Sequence, residues 1–454
     1  MMIHFKDKLL LLHAFIYGCP LILFFSPTRG YAQSSVTSVT LQQAKEMAVT
    51  QNRLLKIARF KVDESKYGIN SMRSRYYPNV SADGLYAYTT KTDLTLDQGS
   101  LGNLGGIELP PQSIQLYEGD HNIFGASVRA EQPITQLTKI STGVKVAQTD
   151  VSLAEVAVEK SEIEVKQGVE KLYYGILIAQ KQKVQAEVDV QLAETQLYDV
   201  ESALMAGKAD STYRYAAQAQ LAGKRQKLLQ TAYQIENYTA DLKELLGLSP
   251  QTELKLTESD DLIPLLQPLQ SYLTEAVAHS PEIRMADFTR QKASLGVTAA
   301  KKDYIPDLGV FAGYTYQNVI NLLPDNNYHA GILLRWKILD FGTRKSMVNQ
   351  RLSQQRQAEE NLEYAREHVQ NEIEKAYRNA RQSTQLIQAA SSAVSYRKEE
   401  LRLKQNSKVA GLLLKKDVLE TQSNLAQAEV DYFSALLNYR LALSSLEAIA
   451  GTLR

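Results

Sequence analysis

The feature that most constrains this chain is that its sequence contains the same pattern twice. The segment YPNVSA at 77–82 recurs 228 residues later as IPDLGV at 305–310. Further along, the repeat distance becomes 204 residues. Residues paired at that distance are Ile134 with Ile338, Tyr173 with Tyr377, Gly207 with Gly411 and Gly247 with Gly451. A duplicated sequence builds one structural unit twice, so we expect two similar halves, with a longer loop at 91–122 in the first.

Proline is missing from two long stretches, 134–249 and 325–454. Proline breaks helix interiors, so its absence favours long helices. Apolar residues in these stretches step by three and four, which is the spacing of a coiled-coil seam. We predict long helices at 144–205 and 343–409, roughly 93 Å and 100 Å long at ~1.5 Å per residue. Shorter helices are predicted at 38–75, 212–247, 270–303 and 413–450.

Four segments of about 10 to 12 residues alternate apolar and polar side chains, near 80–88, 126–131, 308–316 and 330–336. A tilted strand needs about that length to cross a bilayer. Arg129, Glu131 and Arg335 would then face a wet barrel interior. An ordinary antiparallel sheet with one solvated face shows the same alternation, and the residues alone leave both interpretations open.

The first 32 residues differ from the rest of the chain. Two lysines precede an apolar run, and small residues lead up to Ala32, a pattern that predicts a secretory signal peptide at 1–32. A membrane anchor is the alternative. The only cysteine, Cys19, lies in this segment, so we expect no disulfide in the exported protein.

Composition restricts the function of the remaining chain. Without the leader it has 48 of the 51 basic residues and 49 of the 50 acidic ones, and this balance gives no reason to expect nucleic acid as a partner. No apolar run after residue 32 is long enough for a transmembrane helix. We predict a first structural repeat at 33–250, a linker at 251–268, and a second repeat at 269–454.

Four strands cannot close a membrane barrel, because the smallest barrels have about eight. An open edge in lipid would leave backbone groups unpaired at several kcal/mol each. If these strands enter a membrane, several copies must share one barrel, and three copies would supply twelve strands.

At this point the sequence resembles the TolC family of outer-membrane efflux channels over nearly all of the chain after the leader. The residues that carry the likeness are LQQA at 41–44, QN at 51–52, SPEI at 280–283, YP at 77–78, IP at 305–306, QPI at 132–134, WKILDFG at 336–342, AG at 410–411 and DVL at 417–419. The resemblance implies a mainly α fold with a transmembrane β-barrel. Its expected form is a homotrimer with a 12-stranded barrel in outer-membrane lipid and an α-helical periplasmic tunnel, in a Gram-negative-type cell.

The resemblance also implies a passive role in transport. Members of the family accept substrates from an inner-membrane pump through a periplasmic adaptor, in efflux or in type I protein secretion. The chain has no P-loop and no Gly-rich nucleotide fingerprint, and we expect neither a cofactor nor an enzyme activity. Four scattered histidines, His121, His279, His329 and His368, show no metal-binding spacing. An exported coiled-coil scaffold or adhesin without a pore is the alternative.

Gly207 and Gly411 are predicted to mark turns where a long helix becomes a return helix, because glycine tolerates left-handed backbone. Apolar residues exposed at such tips suggest a partner surface, and the resemblance implies that the adaptor binds there. The predicted tip residues are Ala206, Gly207, Lys208, Val409, Ala410, Gly411, Leu412 and Leu413. A helix-hairpin turn packed inside a bundle is the alternative.

Asp417 and Glu420 are three residues apart and therefore share a helix face. In the matching family motif, acids six and nine positions after the glycine ring the closed pore entrance, so the resemblance implies a gate here. Three chains would place six carboxylates around one axis, where repulsion is strong and cations bind. The first repeat has Tyr213 at the sixth position and its acid, Asp210, at the third. A merely solvated charged face remains the alternative.

Overall fold

A computed structural model of the chain describes residues 37–90, 94–96, 114–117, 121–257, 264–318, 324–409 and 413–453. The helices are α1 (Leu41–Gln51), α2 (Arg53–Ser74), α3 (Leu137–Met205), α4 (Ser211–Leu246), α5 (Leu269–His279), α6 (Pro281–Lys302), α7 (Thr343–Val409) and α8 (Lys415–Ala450). The strands are β1 (Thr37–Val39), β2 (Asn79–Tyr88), β3 (Leu94–Leu96), β4 (Ile114–Tyr117), β5 (Asn122–Pro133), β6 (Leu254–Leu256), β7 (Asp307–Gln317) and β8 (Asn326–Arg335).

The two long helices are close to the predicted lengths. Helix α7 has the predicted bounds, and α3 begins at Leu137 instead of 144. Their 69 and 67 residues correspond to about 100 Å each. Within the described part of the chain, no helix is both long enough and apolar enough to cross a membrane.

The predicted single helices at 38–75 and 270–303 are wrong, because each is two helices with a break. Asn52 leaves helical geometry, with φ −58° and ψ 129°, and its side-chain oxygen accepts the N–H groups of Leu54 and Leu55. Ser280 makes the equivalent break at φ −56° and ψ 122°. There Pro281 begins the next helix, where its missing N–H has no intrahelical partner to lose.

The helices pack through the predicted apolar seams. The buried apolar residues of α7 are Ala358, Leu362, Ala365, Val369, Ile373, Ala376 and Ala380. They step by three and four, as in a coiled coil, and the alanines allow neighbouring helices to approach closely. The coiled-coil prediction is confirmed.

Two apolar cores lie near the helix breaks; one is built mainly from the first repeat with Leu437 of α8, and the other from the second repeat. In the first, the fully buried Tyr173 of α3 donates its hydroxyl to the carbonyl oxygens of Val39 (3.2 Å) and Thr257 (2.5 Å). In the second, the buried Tyr439 of α8 donates to Pro264 O at 2.6 Å. These bonds attach β1, the residue after β6 and Pro264 to helices α3 and α8.

The four long strands form one antiparallel sheet in the order β2-β5-β7-β8, so β2 and β8 are its edges. The remaining strands were not predicted. Strands β3 and β4 pair within the predicted loop at 91–122, and β6, inside the predicted linker 251–268, pairs in parallel with β1. The sheet continues from one end of the long helices, and the turns between α3 and α4 and between α7 and α8 lie at the other.

Candidate functional site

The first helical tip is a glycine-terminated turn at the end of α3. Gly207 has φ +70°, and its N–H donates to Leu204 O at 3.0 Å, while Lys208 N donates to Ala203 O at 2.8 Å. This pair of bonds is a common way to end a helix, and it requires a residue that tolerates left-handed backbone. Ala206 is the last residue before the glycine, and all three predicted tip residues, 206–208, are exposed.

The return helix α4 begins immediately after this turn. The carboxylate of Asp210 accepts the N–H of Thr212 at 2.6 Å and so caps the helix. Hydrogen bonds from Thr212 lower the pKa of Asp210, so this acid stays ionised as a structural cap. Asp210 therefore has a local structural role in the first tip.

The second tip joins α7 to α8. Val409, the last residue of α7, is exposed, and Leu413 is half-buried. The predicted tip residues Ala410, Gly411 and Leu412 lie outside the described residues.

The two predicted gate acids lie in the first two turns of α8. Asp417 is half-buried, and its carboxylate accepts the N–H of Leu414 at 3.0 Å. Glu420 is exposed. The residues between them, Val418 and Leu419, are buried against the chain's own helices. Asp417 thus caps α8, and both acids lie outside the apolar packing of the hairpin.

A set of polar contacts connects the two hairpins beyond Asp417 and Glu420, and we call it the hairpin clasp. Asp189 of α3 is its centre. Its carboxylate accepts a short hydrogen bond from Ser423 of α8 and an ion pair from Lys224 of α4 at 2.7 Å. One turn away, Gln185 donates to Gln427 at 2.6 Å. The clasp joins α3 and α4 to α8, the helix that carries Asp417 and Glu420.

The sheet separates polar from apolar side chains. Alternate residues of a strand share a face, and so do residues directly opposite on neighbouring strands. Arg129 and Glu131 lie 3.6 Å apart on one face, and Phe311, opposite Glu131, places its ring 4.8 Å from the Arg129 guanidinium carbon. Arg335 lies opposite Asp307, which shares the face of Phe311. The structure therefore brings all three predicted lumen residues to one face.

The opposite face of the sheet is apolar and aromatic. Its large side chains are Val80, Tyr86, Tyr88, Phe124, Val128, Leu308, Val310, Tyr314, Tyr316, Tyr328, Ile332 and Leu334. Most of them are exposed in the single chain. Apolar surface of this extent requires a partner phase or a partner protein.

A buried charge cluster lies where the short helices meet the long ones, and the sequence did not reveal it. Lys45 of α1 forms an ion pair with Glu170 of α3, and both side chains are largely buried. Burial, and next the negative charge of Glu170, raise the pKa of Glu447 on α8. An acid directly after Val169 in the apolar seam of α3 is the one sequence signal that could have indicated it.

Within the described residues, no group of three His, Cys, Asp or Glu side chains is placed to hold a metal ion.

The family model described as outer membrane efflux protein matches residues 45–248 and 272–452. These two segments lie within the predicted repeats at 33–250 and 269–454. No curated protein sequence matches the chain.

Three solved structures share the fold. The CmeC outer membrane channel of Campylobacter jejuni superposes with a TM-score of 0.73 at 14% identity, covering 91% of this chain and 86% of that one. A membrane protein from Pseudomonas aeruginosa gives 0.71 at 14% identity, covering 90% and 93%. The MtrE outer membrane channel of Neisseria gonorrhoeae, in its open state, gives 0.67 at 16% identity, covering 91% and 89%.

Proposed function

Because the chain belongs to the outer membrane efflux protein family, we propose that three copies of it form the gated exit duct of a tripartite pump. Family membership makes it an outer-membrane efflux channel with a large periplasmic portion, and it disfavours a coiled-coil scaffold without a pore. The duct conducts substrates passively and catalyses no reaction.

The observation that carries the trimer is the open four-stranded sheet. One chain supplies four long antiparallel strands, and β2 and β8 are left as edges. In hydrocarbon each unpaired backbone group costs several kcal/mol, so the edges must be paired. Three copies give the twelve strands that a closed barrel of ordinary size requires.

The faces of the sheet support the same arrangement. The apolar, tyrosine-rich face suits lipid and its interfaces. The face with Arg129, Glu131 and Arg335 then lines the lumen, where charged side chains keep their water. The Arg129–Glu131 pair leaves this part of the lining locally neutral.

The helical hairpins form the periplasmic duct, and their tips form the surface for the adaptor. The exposed apolar side chains of Met205 and Val409 lie about 100 Å from the sheet. An adaptor that binds there connects the duct to an inner-membrane pump without any contact between that pump and this chain. The adaptor-binding residues are the predicted tips, Ala206, Gly207, Lys208, Val409, Ala410, Gly411, Leu412 and Leu413.

The gate consists of Asp417 and Glu420. Three copies place six carboxylates near one axis, where their repulsion favours separation and bound cations favour closure. The hairpin clasp opposes separation, because α8 cannot swing away from α3 unless the bonds to Asp189 break. Lys415 and Lys416, which directly precede Asp417 in the sequence, weaken the negative field of the acids.

The gate assignment is tested by the double variant Asp417→Asn with Glu420→Gln, reconstituted in planar bilayers. Both changes keep side-chain shape and remove charge. Without the carboxylates, cations can no longer bridge the three copies and hold the entrance closed, so we expect a higher basal conductance and weaker block by magnesium ions. The matched control is Asp210→Asn. It removes an acid from the α3–α4 tip, at the same end of the duct, while asparagine still caps α4. If conductance and magnesium block in the double variant equal those of the control, the gate lies elsewhere.

A further inference from the structure

Strands β2 and β8 lie on opposite sides of the sheet, with β5 and β7 between them. Three strand spacings separate them, which is about 14 Å. A side chain of β8 therefore cannot touch one of β2 within the same copy. Any contact between these strands must join two copies.

The pairing of the strands follows the sequence repeat. In the first half Asn79 lies opposite Glu131. Moving Asn79 forward by 228 residues and Glu131 by 204 gives Asp307 and Arg335, and these two residues are opposite each other in the second half. The duplication therefore preserves the register of the sheet as well as its order.

Replacing each residue by its repeat equivalent also gives the strand register between copies. At the boundary between the two halves, Glu131 of β5 lies opposite Phe311 of β7. The repeat equivalent of Glu131 is Arg335, and that of Phe311 is Asp83. A copy that continues the sheet by this rule places its Asp83 directly opposite Arg335 of its neighbour. Opposite charges then meet on the polar face of the barrel.

The boundary between the halves also contains a contact just beyond the strands. Ile134 N donates to Leu308 O at 2.8 Å, and the hydroxyl of Thr135 donates to Pro306 O at 2.7 Å. Leu308 N in turn donates to the Thr135 hydroxyl at 2.8 Å. The end of β5 is thereby attached to the start of β7.

The repeat equivalents of these residues are uncovered in the single chain. Ile338 corresponds to Ile134, and its side chain is 77% exposed, compared with 40% for Ile134. Val80 corresponds to Leu308 and is 66% exposed, whereas Leu308 is half-buried. Ile338 and Val80 can therefore repeat the Ile134–Leu308 contact between two copies, whereas Leu339, the equivalent of Thr135, has no hydroxyl to repeat the bonds of Thr135.

The segment 337–341, which we call the junction loop, is held in a fixed shape. The carboxylate of Asp340 accepts Gly342 N at 3.1 Å and Arg344 Nε at 2.5 Å, and Arg344 also donates to Lys337 O at 2.5 Å. Phe341 has φ +51° and is 91% exposed. A large apolar side chain in left-handed backbone is costly, and here the bonds of Asp340 fix the loop around it.

We propose that the junction loop of one copy lies against residues 77–80 of the next copy, with Arg335 directly opposite Asp83 across the subunit boundary. This inference rests on the proposed trimer and specifies its register. It makes the copy-to-copy interface repeat the strand register and the Ile134–Leu308 contact of the interface between the two halves.

The test is a double variant in which every chain carries Arg335→Cys and Asp83→Cys. A disulfide should then form between the new cysteine at position 335 of one copy and the new cysteine at position 83 of the next. Directly opposite residues of antiparallel strands have Cα atoms about 4.5 or 5.5 Å apart, within the 4.4–6.8 Å range that disulfides span. The protein's own cysteine, Cys19, is in the predicted leader. Oxidised outer-membrane fractions should give covalent dimers and trimers on non-reducing denaturing gels.

The matched control pairs Arg335→Cys with Ala87→Cys. Ala87 shares the face of Asp83 but lies four residues, about 13 Å, along β2, and should not link. Non-covalent trimers on unheated gels without the 335–83 bond, or with a 335–87 bond, would overturn the register and leave the proposed function standing. Absence of any oligomer would remove the proposed function and this inference together.

Discussion

The buried ion pair between Lys45 and Glu170 provides the most quantitative prediction from this structure. The side chain of Lys45 is 13% exposed to solvent and that of Glu170 is 7% exposed. The second carboxylate oxygen of Glu170 has no hydrogen-bond partner among the described residues. Lys45→Met removes the cation but keeps the length of the side chain, so an uncompensated charge remains in the core of the first repeat.

Breaking one side of a buried pair costs about 3–5 kcal/mol. We expect the lower end, about 3 kcal/mol, because Lys45 keeps some contact with water. At ~2.1 cal/mol/K per residue, a folded chain of about 420 residues has an unfolding entropy near 0.9 kcal/mol/K. The midpoint of thermal unfolding should therefore fall by about 3 °C, measured by circular dichroism in detergent at neutral pH.

Two further variants make this reasoning refutable. Lys45→Met combined with Glu170→Met replaces both charges by apolar groups of similar size, and it should return the midpoint to within about 1 °C of the parent. Lys61→Met breaks an exposed pair with Glu64, in which both side chains are 68% exposed, and it should cost about 0.5 kcal/mol or less. A Lys45→Met shift no larger than that of Lys61→Met, or no recovery in the double variant, would refute the argument.

Three other predictions concern backbone, titration and the junction loop. Gly451 has φ +76°, and a Cβ added there would collide with the carbonyl of His279, so Gly451→Ala should lower the free energy of unfolding by about 2–5 kcal/mol. Gly207 has φ +70° but open space around it, so Gly207→Ala should cost only about 1 kcal/mol. Equal shifts in the unfolding midpoint of the two variants would contradict this difference. Burial raises the pKa of Glu447, so the free energy of unfolding falls as pH rises from the ordinary pKa of glutamate through the raised one. Glu447→Gln should therefore raise the midpoint of thermal unfolding at pH 7 but not at pH 4. An equal gain at both pH values would count against this assignment. Phe341→Gly removes a ring that the proposed trimer buries against the next copy, so samples heated in steps should lose the trimer band on gels at a lower temperature, while helix content by circular dichroism stays unchanged. Trimers as heat-resistant as the parent would show that the ring is outside the interface.

The candidate site was predictable where it depends on local pattern. Gly207 was assigned to a turn because only a tight helix end requires such a residue there, and its φ of +70° agrees. Arg129, Glu131 and Arg335 were assigned to one face from alternation, and the register brings them to one face. The cap made by Asp417 was not predicted, because nothing in its spacing distinguishes a capping acid from a pore-lining one.

The contacts that connect the hairpins were invisible for a different reason. Asp189 and Ser423 are 234 residues apart in sequence, and the polar face of a coiled coil looks the same whether or not it meets another hairpin. Lys45 and Glu170 were hidden in the same way, because an ion pair between distant helices leaves no periodic signal.

By itself the sequence determined the elements that follow from short-range rules. Absence of proline and steps of three and four specify α3 and α7, and alternation specifies the four long strands. The duplication specifies that the second half repeats the helices and long strands of the first half in the same order. Only the tertiary structure decided which strands are edges and which charges are buried. Those outcomes depend on which residues far apart in the chain become neighbours, and the free energy of burial or of strand pairing exists only once they do.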